Sequence, residues 1–139
     1  MRAHTGAAAQ TARAEYTLPC TVTSAGRARR LTSSFLARPR SRIAPVGAEQ
    51  VAAATLIASE LVANAVRHGR TGCRLRLRVG AGHVTVEVRD DAPGRPRTRA
   101  GRAEDESGRG LAIVRILSER FDIVVPVTGG KTVRAVLAV

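Results

Sequence analysis

Three groups of residues in this chain have types and spacings suited to a charged phosphate ligand. The first pairs a carboxylate with a carboxamide one helical turn apart, Glu60 and Asn64. The second is an aspartate, Asp90, at the end of an alternating run, and the third is the glycine-rich stretch 108–110. Together they offer a proton acceptor, a hard oxygen ligand and backbone N–H donors. The set predicts a site for a magnesium nucleotide.

Asn64 and Glu60 suit the metal and the reacting phosphate. The Asn64 amide oxygen can ligate Mg²⁺, which prefers hard oxygens and keeps several of its waters. Glu60 is placed to take a proton from a hydroxyl or water that attacks the terminal phosphate. Taken singly, each residue has an ordinary alternative. Asn64 could be a surface or helix-capping residue, and Glu60 an exposed helical glutamate.

Asp90 and the glycines suit the other parts of a nucleotide. The Asp90 carboxylate can accept a hydrogen bond from the amino group of adenine, a donor that guanine does not present there. Gly94 would let the backbone approach the base closely. Gly108 and Gly110 are expected to expose N–H groups at a helix N-terminus, with Arg109 adding positive charge. The alternatives are a strand-ending turn for Asp90 and a simple turn for the glycines, so the ordered set is more specific than any member.

Hydrophobic periodicity predicts the elements that must position these residues. The pattern indicates a disordered tail over 1–14 and a mobile, Pro- and Gly-rich loop over 91–107. Between and after them it predicts, in order, an edge strand over 16–22, helices over 24–37 and 47–68, strands over 73–79 and 84–89, a helix over 110–120, and strands over 121–127 and 131–139. Gly69 is expected to cap the second helix.

Two details of this pattern concern the site. On the second helix Glu60, Asn64 and Arg67 share the side opposite the apolar residues, and so predict one polar surface. Asp90 is in phase with the preceding valines, so its carboxylate should face the apolar layer and needs a partner there. Adjacent strands are close enough to form hairpins. The order therefore favours an α+β fold with a mixed, mostly antiparallel sheet and helices on one face.

Charge and composition narrow the choice of partners. The formal net charge is +12, yet all the basic residues except Lys131 are arginines spread along the chain. Aromatic residues are limited to Tyr16, Phe35 and Phe121, which provides no stacking platform for single strands. We therefore expect no direct nucleic-acid partner, and interpret the arginines as a solvated surface or as a surface that attracts acidic proteins.

Nothing in the sequence predicts a membrane span, export or a zinc site. No apolar run reaches the roughly 18 residues that a spanning helix needs, and the opening lacks a signal-type apolar segment. Cys20 and Cys73 have no metal-ligand spacing and are expected to be buried free thiols. These features predict a cytoplasmic protein without membrane contact.

The motifs resemble those of the histidine-kinase-like ATPase superfamily, and within it the small stand-alone anti-sigma-factor serine/threonine kinases. Residues 60–69 resemble the N box, residues 88–94 the G1 box and residues 106–111 the G2 box, and the ending 130–133 also fits. The likeness covers nearly the whole chain. Ala92 departs from it, because many relatives have glycine at this turn.

The resemblance implies a two-layer α/β sandwich, one ATP-binding domain over 15–139 and often a homodimer. It implies Asn64 as the magnesium ligand, Glu60 as the candidate catalytic base and Asp90 as the adenine reader, with residues 95–107 as a lid. The further residues expected at the nucleotide are Arg67, His68, Ala92, Gly94, Ser107, Gly108, Arg109, Gly110, Leu111, Lys131 and Thr132.

The function implied is ATP-dependent phosphorylation of a serine or threonine on an antagonist protein, with sequestration of a sigma factor otherwise. The chain lacks the separate dimerisation helices and acceptor histidine of a sensor kinase, which disfavours autophosphorylation on histidine. One alternative is a non-catalytic module that binds nucleotide and a protein partner. A less favoured one is a basic nucleic-acid-binding protein.

Overall fold

The computed structural model describes residues 10–91 and 102–139, and only the backbone of residues 102–109. Its elements follow the predicted order of strands and helices. They are β1 (Thr11–Leu18), α1 (Ser24–Ala37), α2 (Ala48–His68), β2 (Cys73–Gly80), β3 (His83–Asp90), α3 (Arg102–Leu117), β4 (Arg120–Val124) and β5 (Lys131–Ala138).

The strands form a five-stranded sheet in the order β1-β2-β3-β5-β4. Strands β2 and β3 are a hairpin in which Gly80 pairs with His83 and Cys73 pairs with Asp90. All the strand pairings among the described residues are antiparallel, so the parallel contribution of a mixed sheet is not seen there. Strand β1 lies at one edge, as predicted.

The helices cover one face of this sheet. Side chains along β2 and β3 alternate between buried and more exposed positions, and the buried set faces the helices. Ile57 and Leu61 of α2 and Leu75 of β2 are at most 2% exposed. Burying each such side chain contributes about 1.5–3 kcal/mol, so the contact between the helices and the sheet stabilises the fold. The α+β two-layer sandwich is confirmed.

The turn between β2 and β3 depends on glycine. Gly80 has φ +146° and Gly82 has φ +79°, values that side chains rarely tolerate. A Cβ on Gly80 would also lie 2.5 Å from the Gln10 carbonyl oxygen, where β1 begins. Glycine therefore permits both the tight hairpin and the close approach of β1.

The N-terminal boundary differs from the prediction. Strand β1 begins at Thr11, inside the segment expected to be disordered, and ends at Leu18 rather than at residue 22. Its residues pair with the whole of β2, and this long-range pairing supplies hydrogen bonds that local composition does not reveal. Residues 1–9 lie outside the described part of the chain.

The third helix also differs from the prediction. Helix α3 starts at Arg102 instead of residue 110 and ends at Leu117 instead of residue 120. Residues 102–107, expected in a mobile loop and lid, are helical; they contain no proline and several good helix formers. Residues 92–101, which hold the rest of that predicted lid, lie outside the described residues. Strand β4 ends at Val124, before Pro126.

None of the helices that the structure describes combines the length and the apolar character that crossing a membrane would require.

Candidate functional site

Asp90 ends β3 with its side chain turned towards the helices. The residue is 3% exposed, and in the sheet it lies opposite Lys131, the first residue of β5. The Lys131 Nζ is 4.0 Å from Asp90 Oδ2. The inward-facing carboxylate predicted from the valine phase is therefore present, and a cation partly compensates its burial.

Two glycines permit close backbone approach near Asp90. Gly69, the residue after α2, is extended rather than left-handed, and its N–H donates to the Ala65 carbonyl at 2.6 Å. A Cβ on Gly69 would lie 3.7 Å from the Asp90 Cβ and 2.6 Å from the Ala65 oxygen. Gly130 has φ +84°, and a Cβ there would lie 3.0 Å from the Asp90 carbonyl oxygen. A larger residue at 69 would therefore crowd the end of α2, and one at 130 the end of β3.

Asn64 is buried, not part of an open polar surface. It is 8% exposed and belongs to the buried set of α2, against which α3 packs. Glu60 is half-buried and Arg67 is exposed, so the side of α2 that the three residues share is covered at Asn64 instead of open along its length. The Asn64 amide makes no hydrogen bond with the residues that the structure describes. A buried amide in this position is available to a ligand.

Glu60 meets the glycine-rich segment directly. A Cβ built on Gly110 of α3 would lie 2.5 Å from Glu60 Oε1, so the carboxylate occupies the space that glycine leaves. The Glu60–Asn64 pair and the glycine-rich stretch 108–110 are therefore in contact across the α2–α3 interface. Leu111, the next residue, is half-buried and packs against the core.

The side chains around Asp90 influence one another electrostatically. The pKa of His68 is lowered, first by burial and then by the positive charges of Lys131 and Arg67, while Asp90 acts in the opposite direction. Burial, followed by the charges of Asp90 and Cys20, raises the pKa of the Cys73 thiol to about 11. His68, Lys131 and Asp90 thus form one charged group at the ends of α2, β3 and β5.

Sequence reasoning missed two contacts at the end of β3, one at Asp90 and one at Asp91. Cys73 lies directly across the hairpin from it, which counting outward from the Gly80–His83 pair would have predicted. Thr71 Oγ1 donates to both carboxylate oxygens of Asp91, at 2.9 Å to Oδ1 and 2.6 Å to Oδ2. This contact ties the α2–β2 connection to the end of β3.

The glycines of the third motif do not stand at a helix N-terminus. Because α3 begins at Arg102, the backbone of residues 108–110 lies in the helix interior, where N–H groups bond to carbonyls four residues earlier. The expected exposed donors at Gly108 and Gly110 are therefore engaged. The side chains of Ser107 and Arg109 lie outside the described residues, as do Ala92 and Gly94.

Thr132 is also placed away from the site. It pairs with Arg89 in the sheet and alternates with Lys131 and Val133, so it lies on the face opposite the helices. Of the predicted nucleotide residues, the structure brings together His68, Asp90 and Lys131 in one group, and Glu60 with Gly110 in another. Asn64 lies one helical turn from both Glu60 and His68 on α2, between the two groups.

Comparison with known proteins decides the family. The family model described as the histidine kinase-like ATPase domain matches residues 18–137, which is most of the chain and includes every residue of the two groups. The chain belongs to the histidine kinase-like ATPase family. Comparison with curated proteins gave no match.

A solved structure shares the fold of this histidine kinase-like ATPase. It is the crystal structure of the RsbU and RsbW domains of Rv1364c from Mycobacterium tuberculosis, with a TM-score of 0.69 and 22% sequence identity. The match covers 91% of this chain and 32% of that chain. At this identity the likeness bears on the fold alone.

Family membership implies ATP binding, and the donor set is consistent with it. Among the described residues there is no group of three or more His, Cys, Asp or Glu that could hold a metal. A dedicated protein cage is not required for Mg²⁺ in a nucleotide complex, because phosphates and waters supply most ligands. The amide of Asn64, a buried residue whose side chain has no hydrogen bond to the described part of the chain, fits this requirement.

Proposed function

We propose that this chain is an anti-sigma-factor protein kinase that uses ATP to phosphorylate a serine or threonine of an antagonist protein. When the antagonist is not engaged, the chain holds a sigma factor. The observation that carries the proposal is the position of Asp90. It is a buried carboxylate at the end of β3, with Gly69 and Gly130 beside it, and β3 packs against α2, the helix that holds Asn64 and Glu60.

Asp90 would recognise the base. Its carboxylate accepts hydrogen bonds only, so it favours the amino group of adenine and disfavours a carbonyl at the same place. Gly69 and Gly130 carry no side chain beside it, so neither would obstruct a flat ring there. The Lys131 ammonium, 4.0 Å from Asp90 Oδ2, places a positive charge beside the carboxylate. The arrangement supports adenine selectivity.

Asn64 and Glu60 would act at the phosphates. Asn64 would hold Mg²⁺, which when bound neutralises phosphate charge and orients the terminal group. Glu60 would orient or deprotonate the acceptor hydroxyl. Its carboxylate lies at the α2–α3 interface beside Gly110, and this contact with the glycine-rich segment supports a role at the phosphates.

The choice of protein partners rests on resemblance. The three motifs resemble those of anti-sigma-factor kinases, and the similar solved structure contains an RsbW domain. We therefore propose a sigma factor and an antagonist as partners in the cytoplasm, and a second copy of the chain as a homodimer partner.

Calorimetric titration tests the nucleotide site first. Purified protein is titrated with ATP in the presence and absence of Mg²⁺, with GTP as the control for base selectivity. Magnesium-dependent binding of ATP but not GTP is expected. Binding of both nucleotides with equal affinity would contradict the role of Asp90.

A second candidate function is favoured by one observation. The backbone N–H groups of residues 108–110 are engaged inside α3, so they are not free to bind phosphate in this conformation. A module that binds nucleotide and protein without phosphoryl transfer fits that arrangement. Incubation with ATP labelled at the terminal phosphate and candidate antagonist proteins separates the two, because label appears on the antagonist only if the chain is a kinase.

A further inference from the structure

The sheet face that the helices leave open is strongly basic. Seven exposed arginines alternate with the buried residues of the five strands, against three carboxylates on the same face. The arginines are Arg13, Arg74, Arg76, Arg78, Arg89, Arg120 and Arg134, and the carboxylates are Glu15, Glu87 and Asp122. We call this the outer face. It lies opposite the layer that holds Asp90 and Asn64.

The carboxylates occupy a single row across the sheet. In the strand register, Glu15 pairs with Arg76, Arg76 with Glu87, Glu87 with Arg134 and Arg134 with Asp122. Ion pairs within the row join Arg76 to Glu15 at 3.4 Å, Arg76 to Glu87 at 3.2 Å and Arg134 to Asp122 at 3.6 Å. In this middle row the arginines and carboxylates alternate, so positive and negative charges already pair with one another inside the chain.

The rows on either side place like charges opposite one another. Arg13 pairs with Arg78 in the register of β1 and β2, and Arg74 pairs with Arg89 in that of β2 and β3. Arg74 has an ion pair with Glu15 at 3.3 Å. Within the described part of the chain, no ion pair joins a carboxylate to Arg13 or Arg78. Like charges directly opposite in a sheet are destabilising, so the isolated fold gains nothing from them.

One arginine row borders a concave surface. A cavity of about 710 Å³ on the outer face is lined by five arginines and three carboxylates, among them both members of the Arg13–Arg78 row but neither Arg74 nor Arg89. The arginines are Arg13, Arg76, Arg78, Arg120 and Arg134, and the carboxylates are Glu15, Glu87 and Glu119. Arg78 and Arg74 are four residues apart on β2, which corresponds to about 13 Å along the strand. A ligand that meets both rows must therefore present negative charges at separated points.

The charges favour an acidic protein segment over a nucleic acid or a second copy. The carboxylate row between the arginines would repel a continuous phosphate backbone laid across it. The aromatic side chains of β1 and β4, Tyr16 and Phe121, pair with Leu75 and Ala135 on the helix side and offer no stacking surface. Two copies meeting through this face would bring arginine rows together.

We propose that the outer face is a docking surface for an acidic protein partner, whose carboxylates meet the arginine rows on both sides of the middle row. Docking there leaves the opposite layer, and with it the nucleotide site, accessible. The proposal does not depend on phosphoryl transfer, because the outer face and the Asp90 group lie on different sides of the sheet.

Charge reversal with a matched control tests this surface. The test variant is Arg13→Glu with Arg78→Glu, and the control is Arg29→Glu with Arg30→Glu, two exposed arginines of α1 that give the same change in net charge. The probe is a fluorescein-labelled twelve-residue peptide of alternating glutamate and glycine. At physiological salt the screening length is about 8 Å, so distant charges contribute little.

The test variant is expected to bind the peptide at least tenfold more weakly than the native chain, and the control within about threefold. Amide shifts in ¹⁵N-labelled protein should concentrate on β1, β2 and β3. ATP affinity should be unchanged in both variants. Circular dichroism checks that each variant is folded. Arg78→Gln removes one positive charge without adding a negative one, and it should also weaken peptide binding, by a smaller factor.

Several outcomes would overturn the proposal. These are no peptide binding by the native chain, equal loss in the test and control variants, or amide shifts confined to the helices. Tighter binding of a single-stranded oligonucleotide that displaces the peptide would assign the face to nucleic acid. The native chain could also form a dimer in analytical ultracentrifugation that is lost in the outer-face variant and kept in the control. If peptide binding were unchanged in that variant, the outer face would be assigned to a second copy of the chain.

Discussion

Lys131 Nζ lies 4.0 Å from Asp90 Oδ2, and the two residues are register partners in adjacent strands. Their side chains are 12% and 2% exposed, so the pair is largely removed from water. The residue proposed to read adenine is therefore held beside a cation before any ligand arrives. This relationship links the stability of the sheet end to the chemistry of the site.

Removing that cation should destabilise the fold. We expect Lys131→Met to lower the free energy of unfolding by about 1–3 kcal/mol, because Asp90 stays buried with less compensation. Asp90 has further interactions, which keeps the loss below that of an isolated buried charge. Urea unfolding measures this change in the free energy of unfolding. The control is Arg134→Met, which breaks an exposed pair and should cost less than about 1 kcal/mol; equal losses would contradict the argument.

Asp90→Asn should weaken ATP binding selectively. An amide can present its NH₂ group where the carboxylate only accepts, and losing a charged hydrogen bond costs about 1.5–3 kcal/mol, or roughly 10- to 150-fold in affinity. Calorimetric titration measures this change. Asp122→Asn on the outer face is the control for charge and should leave affinity unchanged. Unaltered ATP affinity in Asp90→Asn would remove the assigned role.

Asn64→Ala separates metal binding from folding. The Asn64 amide makes no hydrogen bond with the described residues, so its removal should change unfolding free energy by less than about 1 kcal/mol. Magnesium should no longer strengthen ATP binding in this variant. Titrations with and without Mg²⁺ give the comparison. A large loss of stability with the magnesium effect intact would make Asn64 a structural residue instead.

Gly110→Ala should disturb Glu60 without unfolding the chain. The new Cβ would lie 2.5 Å from Glu60 Oε1, and the flexible carboxylate end can move aside. Alanine in a helix interior is favoured over glycine by about 1 kcal/mol, so stability should hold or rise. Phosphoryl transfer should fall, approaching the roughly 10²- to 10⁴-fold loss expected for Glu60→Ala.

Labelled-phosphate transfer and thermal unfolding, measured together, test the Gly110 prediction. A stable Gly110→Ala variant with full transfer activity would mean that the position of Glu60 beside α3 does not matter for catalysis. Gly82→Ala is unsuitable as a control, because its φ of +79° adds strain. Ala112→Ser on the exposed side of α3 is a better one and should leave both quantities unchanged.

The alternation of β2 and β3 was sufficient to predict the inward direction of Asp90, because a half-buried hairpin imposes a period of two. The burial of Asn64 could not be predicted in the same way. Asn64 lies on a helix that packs against both α3 and β3, and the periodicity of one helix does not show which other elements cover its polar side.

The start of α3 shows a different limit. Pro, Gly and charge after residue 91 predicted a loop that continued to residue 107, yet the helix begins at Arg102. Composition averaged over the whole stretch concealed the helix-favouring residues at its end. The error also moved Gly108 and Gly110 from a helix terminus to a helix interior, and so changed what their N–H groups can bind.

The charges around His68 predict a pH dependence. Burial, Lys131 and Arg67 lower its pKa, so the unfolded chain binds a proton more readily than the folded chain. Where the unfolded state binds more protons, stability rises with pH. The contribution of His68 should therefore be present above the ordinary value of about 6.5 and be lost as pH falls through the window below it.

NMR titration of the His68 ring measures this directly, and two variants test the cause. Lys131→Met removes a nearby positive charge and should raise the pKa of His68. Asp90→Asn removes the opposing negative charge and should lower the pKa further. If the two variants shift it in the same direction, or not at all, the electrostatic coupling between α2 and the ends of β3 and β5 is absent. Opposite shifts would show that the three side chains act as one charged group.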